Sequence, residues 1–220
     1  MKNLRTFFNG YCTIFLLLFL PNCGKVVDWV HGSFEQITSV GANCEIAEKY
    51  IKSVTEYDQF TTAAKFDALW LSNEIRMAYV NLFGTKFGKT DEQKKALLRR
   101  QLEENNHFIS FFVLSLYEFP LGDPHSVWTL FLTINDKNYA PIEIKSIELA
   151  PEYECMFGKK FNRFKVVYSV KFDAKNIEEV PLITADTQKM TLCFRSIKKE
   201  VSLEWDVSSS YVSNNNKEVS

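Results

Sequence analysis

Apolar positions recur every three or four residues in the first half of this chain, then alternate or run together after His107. Val26, Val27, Trp29, Val30, Phe34 and Ile37 sit at helical spacing, and Ile46, Tyr50, Ile51 and Val54 repeat it one segment later, so two weak helices are predicted there. A stronger helix is predicted from about Thr61 to Phe83, with Phe66, Leu69, Trp70, Met77, Ala78, Leu82 and Phe83 as its apolar surface and Gly84 placed to end it. Thr90-Asp91-Glu92-Gln93 reads as a capping box, in which the Thr90 hydroxyl accepts from the amide three residues on while Gln93 reaches back. The helix it opens carries Leu97, Leu98 and Leu102 and should end near Asn105-Asn106, whose side chains compete for backbone hydrogen bonds.

Beyond His107 the pattern predicts strands. Phe108 to Tyr117 is a continuous apolar run, as is Ser126 to Ile134, and both suit strands buried on two faces. Asn135 to Asn138 supplies turn residues, and a change of face between Ile142/Ile144 and Ile147/Leu149 suggests a bulge across Lys145-Ser146. Clean alternation follows at Phe164, Val166, Tyr168, Val170 and Phe172, at Met190, Leu192 and Phe194, and at Val201, Leu203 and Trp205. Pro181 to Thr184 reads as a short edge strand. The expectation is an α+β protein in which N-terminal helices are followed by an antiparallel β-sandwich of six to seven strands. Its parts would be a membrane-proximal segment with weak helices over 23–60, a helical part over 61–107, the sandwich over 108–206, and a Ser- and Asn-rich disordered tail over 207–220. Trp70, Trp128, Phe172 and Trp205 should be buried.

Residues 1–22 have the order of an export signal. Lys2 and Arg5 give a positive start, Tyr11 to Leu20 an apolar stretch, and Pro21 breaks the helix before a processing site. The apolar stretch is shorter than the roughly 20 residues that span a bilayer. Cys23, with Leu20 three positions before it, resembles the lipobox of a bacterial lipoprotein precursor, although Pro21 and Asn22 stand where that motif usually has small residues. The resemblance implies that Cys23 receives a diacylglycerol, carries acyl chains such as palmitate, and holds the mature protein to a membrane of the cell envelope. If Cys23 is not lipidated, the same signal makes the protein secreted. The layout, with Arg76-Met77-Ala78-Tyr79 and Ser126-Val127-Trp128, is also similar to uncharacterised envelope lipoproteins, and it transfers no catalytic residue.

Composition narrows the classes further. Without Lys2 and Arg5, 24 of the 26 basic residues face 27 acidic ones, a charge of about −3 that gives no reason to expect nucleic acid as a partner. Cys12 lies in the signal. With Cys23 acylated, Cys44, Cys155 and Cys193 remain, an odd number that allows one disulfide beside one thiol and suggests neither a dense disulfide scaffold nor a zinc site.

Several constellations invite an enzymatic reading. Gly84 to Thr90 resembles a phosphate loop but has three residues between its glycines where four are needed, and it follows a helix, so stop and start signals for two helices explain it better. Asp123, His125 and Ser126 share one loop with Gly122 and Pro124, where neighbours in sequence rarely align as a triad and turn chemistry suffices. His31, His107 and His125 are too scattered to propose a metal, and no cofactor and no catalytic residue is assigned. The 19 phenylalanines fit a core, with a ligand pocket as the alternative. Lys159, Lys160, Arg163 and Lys165 form the basic cluster best placed to touch acidic lipid head groups. The sequence therefore points to a membrane-anchored envelope lipoprotein with a non-catalytic binding or structural role, its partner another envelope protein. A lipid or small-molecule carrier, with a cavity between helices and sheet, is the alternative, and a hydrolase built on His107 or His125 is the third.

Overall fold

A computed structural model describes residues 44–58, 61–116 and 119–207. Nine strands among the described residues form two antiparallel sheets. The first runs, in spatial order, β1 (Ile51–Asp58), β2 (Thr61–Trp70), β3 (Phe108–Leu116), β7 (Lys165–Asp173) and β6 (Glu143–Ile147). The second runs β5 (Lys137–Tyr139), β4 (Thr129–Ile134), β8 (Lys189–Arg195) and β9 (Glu200–Asp206). Three helices join them: α1 (Asn73–Lys86), α2 (Asp91–His107) and α3 (Pro151–Phe157).

The sheets stack because each offers one apolar face. In β9 every second residue, Val201, Leu203 and Trp205, is buried and its neighbours are exposed, the period-two signature of a sheet with one wet face. Phe66 of β2 stacks on Phe194 of β8 with ring centroids 4.1 Å apart, and Trp128 meets it edge-on at 5.5 Å. Phe111 of β3 lies 5.2 Å from Trp205, whose indole N–H donates to the Tyr50 carbonyl at 2.7 Å. The first sheet is covered on its other face too. There Phe112 meets Tyr153 of α3 at 4.8 Å, and Tyr153 stacks on Tyr79 of α1 at 4.6 Å. Trp70, Trp128, Phe172 and Trp205 are all buried, as expected, although Trp70 is on a strand and not on the predicted helix.

The helices start where their caps dictate. Ser72 accepts from the Ile75 amide at the head of α1, and the capping box of α2 is formed in both directions between Thr90 and Gln93. Gly84 does not end α1, which continues to Lys86; Gly88, with φ of +57°, follows the Phe87 cap. Gly84 instead faces the stem of Lys94 on α2, which lies 2.6 to 3.0 Å from where a β-carbon would stand, so its missing side chain is what lets the two helices approach.

Seven strands fall within residues 108–206, the number the pattern predicts. Two more lie upstream, and this corrects the helical reading of 61–107 and of Tyr50 to Val54. Thr61–Trp70 is a strand, not the first half of a helix, and Ile51–Asp58 pairs with it. Within the segment assigned to weak helices, only residues 44–48 among those described are helical. No bulge interrupts β6, whose register against β7 is continuous from Glu143 to Ile147; the shift in that sheet falls between Glu56 and Tyr57. Pro181 makes a single bridge to Lys175 rather than an edge strand. The expected helix over 26–37, the signal, Cys23 and the tail from Ser208 lie outside the described residues. No described helix is long and apolar enough to cross a membrane.

Candidate functional site

A hydrogen-bonded arginine at the interface between helices and sheet organises the most chemically distinctive part of the molecule. Arg76 sits one turn into α1, which the Ser72 cap aims along the outer face of the first sheet. Its side chain is buried, and three neighbours from α2 receive it. Nη1 donates to Gln101 Oε1 at 2.7 Å and to Glu104 Oε2 at 2.9 Å, and Nε donates to Asn105 Oδ1 at 3.2 Å. Asn105 in turn donates to the Leu71 carbonyl and to Asn73, fixing the end of α2 to the start of α1.

One side of the guanidinium is left over. Nη2 of Arg76 is buried and has no hydrogen bond of ordinary geometry, and the same holds for the hydroxyl of Ser110 on β3. The residues are only 3% and 1% exposed. Each such orphan costs about 1–3 kcal/mol relative to a satisfied group, and the two line one space. That space is a cavity of about 200 Å³, bounded by Leu71, Arg76, Tyr79, Ser110, Phe112 and Tyr153, with Gln101, Glu104, Ser169 and Lys171 completing its wall.

Charges around the cavity are arranged asymmetrically. Burial pushes the Glu104 carboxyl up, but the Arg76 charge and the hydrogen bond from Lys171 outweigh it and hold the group below the usual glutamate range. Lys171 Nζ lies 2.9 Å from Glu104 and 3.9 Å from Glu143. Burial strongly raises the Tyr153 phenol, against the opposing pull of Arg76, and burial together with Glu152 raises Tyr79. Both phenols are therefore neutral at ordinary pH. Arg76 and Lys171 face Glu104 on the wall and Glu143 just behind it, so the charges balance while Nη2 of Arg76 stays without a partner beside a pocket with three aromatic rings. Such an arrangement can accept an anionic group at one end and an apolar one at the other.

The basic cluster read from the sequence is divided by the fold. Lys165 is buried, ion-paired with the equally buried Asp67 of β2, and donates a second hydrogen bond to the Lys160 carbonyl. Lys160 lies 3.9 Å from the same carboxylate and donates to Ser53 Oγ at 2.8 Å. Lys159 and Arg163 stay exposed, the latter 5.0 Å above the exposed ring of Phe164. Cys23 lies outside the described residues, as does His31.

Asp123, His125 and Ser126 form a turn. Asp123 Oδ1 accepts from the His125 amide at 2.7 Å, and the Ser126 hydroxyl bonds to the carbonyls of Pro120 and Trp128, so the serine is a loop staple. His107 is exposed at the end of α2, its ring 6.2 Å from that of Phe108, on a broad open groove of about 820 Å³ that also contains Asp173, Glu178 and Glu179. Among the described residues, no group of three or more His, Cys, Asp or Glu is placed to hold a metal ion. A disulfide joins Cys44 to Cys155, and Cys193 is a buried thiol.

Sequence reasoning missed Arg76 and Ser110 as a pair because nothing links them in the pattern. An arginine among Ile75, Met77 and Ala78 and a serine within a mostly apolar strand that also carries Ser115 are the two signals that could have drawn attention to them. Comparison of the chain with protein-family models, with curated proteins and with solved structures finds no match.

Proposed function

We propose that this chain is an exported lipoprotein, anchored through Cys23, whose folded part is a binding module with no catalytic role. The observation that carries the binding half is the pair of buried, unpartnered donors, Arg76 Nη2 and Ser110 Oγ, on the wall of one cavity. A wholly structural protein gains stability by satisfying or replacing such groups, and a binding protein keeps them for its ligand. The export half rests on the order of Lys2, Arg5, the apolar stretch and Cys23, and the Cys44–Cys155 disulfide agrees with an oxidising compartment. The stretch from Cys23 to Cys44 then serves as the tether.

Between the two kinds of partner raised by the sequence, the cavity favours a small molecule over another envelope protein. Its volume of about 200 Å³ suits a ligand smaller than a drug-sized one. The test is native mass spectrometry of full-length protein released gently from cell membranes. An acyl mass that disappears in Cys23→Ser supports the anchor, and a membrane-bound variant without it refutes that half. For the module, the same preparation is screened with small molecules of several charge classes at about 10 mM: saturable binding that unfolding abolishes supports it, and no binding by any class refutes it.

A further inference from the structure

We propose that the cavity beneath α1 binds a small organic carboxylate, with Arg76 Nη2 and Ser110 Oγ receiving its oxygens. This deepens the binding reading and rests on it, but it is independent of the anchor. Three observations choose the ligand class. The first is charge. The cavity wall carries Arg76 and Lys171 against Glu104, and Glu143 lies 3.9 Å from Lys171, so the surrounding charges are close to balanced and a single negative charge at the Arg76 edge is favoured over a dianion.

The second is the nature of the free donors. Arg76 already uses Nη1 and Nε on Gln101, Glu104 and Asn105, which fixes the plane of the guanidinium and leaves Nη2 without a hydrogen bond of ordinary geometry. A planar carboxylate offers one oxygen to that N–H and the other to a hydroxyl, and the Ser110 hydroxyl is the second unpartnered group on the same wall. Burial keeps the Tyr153 phenol protonated, so it too meets an anion as a donor rather than as a repelling phenolate.

The third is size and lining. At about 200 Å³ the cavity lies below the range of about 300–1,000 Å³ that takes drug-sized ligands, so a small ligand fits it best. Tyr79, Phe112, Tyr153 and Leu71 form the apolar part of its wall, which suits a short carbon chain. A short-chain acid meets all three conditions, and propionate is the simplest probe.

The experiment is calorimetric titration of the purified full-length chain with sodium propionate at constant ionic strength, with propionamide and phosphate as comparison ligands. We expect saturable propionate binding with a Kd of about 1 mM, within reach of so small a ligand, and at least about tenfold weaker binding of the other two. Ser110→Ala is the decisive variant. It deletes a hydroxyl that the empty protein leaves unpartnered, so it should fold with undiminished stability yet bind propionate about fivefold or more weakly. Arg76→Lys keeps the charge, loses the free N–H and should weaken binding at least tenfold. Absence of saturation by about 50 mM propionate, equal binding of propionamide or phosphate, or wild-type affinity in a folded Ser110→Ala each overturns the assignment. Saturable binding of another charge class in the screen, with none of carboxylates, would sink this inference while leaving the binding module standing.

Discussion

Removing the Cys44–Cys155 disulfide should cost this fold as much as losing a buried core side chain. The two cysteines are 111 residues apart, and the loop they close contains β1 through β6 with both long helices. Chain-entropy reasoning assigns a cross-link of that span about 16 cal/mol/K, or about 5 kcal/mol at 25 °C, all of it acting on the unfolded chain. The native end of the link offsets part of this. Tyr50 is held independently, by its carbonyl to the Trp205 indole and by its ring against Trp70 at 5.9 Å, so the helical turn at 44–48 can peel away without opening the sheet. A loss between about 2 and 5 kcal/mol is therefore expected for the double variant Cys44→Ser, Cys155→Ser. Cys193 is buried in the folded protein but exposed on unfolding, so the titration is run at about pH 5, where thiol exchange is slow. The assay is urea unfolding followed by the fluorescence of Trp70, Trp128 and Trp205, which are buried and report on both sheets. With a slope of about 2 kcal/mol/M, the midpoint should fall by about 1 to 2.5 M. A fall of less than about 0.3 M at unchanged slope would refute the loop-closure argument and show that residues 44–50 contribute nothing to the cooperative unit.

Phe66→Ala, which removes the ring held between Phe194 and Trp128, should cost about 3–5 kcal/mol in the same unfolding assay; a loss under about 1 kcal/mol would mean that the sheets re-close over the gap. Asp67→Ala strands the buried Lys165 ammonium and should cost about 3–5 kcal/mol, whereas Asp67→Leu with Lys165→Met should recover most of that loss; equal stability of the two variants would refute the pairing. For Glu104, whose folded pKa lies below its ordinary 4.5, the stabilising contribution is full above that value and is lost as pH falls through the folded value. The stability gap between wild type and Glu104→Gln should therefore narrow as pH drops below about 4.5, and a gap that is constant from neutral pH to pH 3 would count against the assignment.

What the sequence disclosed depended on whether one face or two were buried. β9 has a single buried face, and its alternation reads without ambiguity. The Thr90 capping box is equally plain, since all its bonding partners lie within four residues. β2 was misread for a physical reason. It lies between β1 and β3, with the second sheet under Ala64, Phe66 and Ala68, and Asp67 and Leu69 buried on the opposite face, so no polar alternation survives. Phe66, Leu69 and Trp70 then fall three and four apart by chance, and the alanines between them favour a helix locally. Tertiary burial overrode that preference. The candidate site was less legible still, because Arg76, Ser110 and Tyr153 come from α1, β3 and α3 and meet only after the helices cover the sheet. Which two cysteines pair was likewise open, since an odd count fixes that one is left over and not which.

The path of the chain through the two sheets sets an order of assembly. After β3 it leaves the first sheet to make β4 and β5, returns for β6 and β7, and leaves again for β8 and β9, so neither sheet is a continuous stretch of sequence. β1 is tied to the last strands, with Lys199 Nζ on Glu56 Oε1 at 2.9 Å and on the Tyr57 carbonyl at 2.7 Å. A chain emerging from its N-terminal end can pair β1 with β2, but Phe66 has no Phe194 to stack on and Phe111 no Trp205 until almost the whole fold has been delivered. No stable half-protein can form along the way. A nascent chain of this topology stays threadable through a narrow pore, and one cut short before Trp205 is left with an uncovered apolar sheet that proteases can recognise.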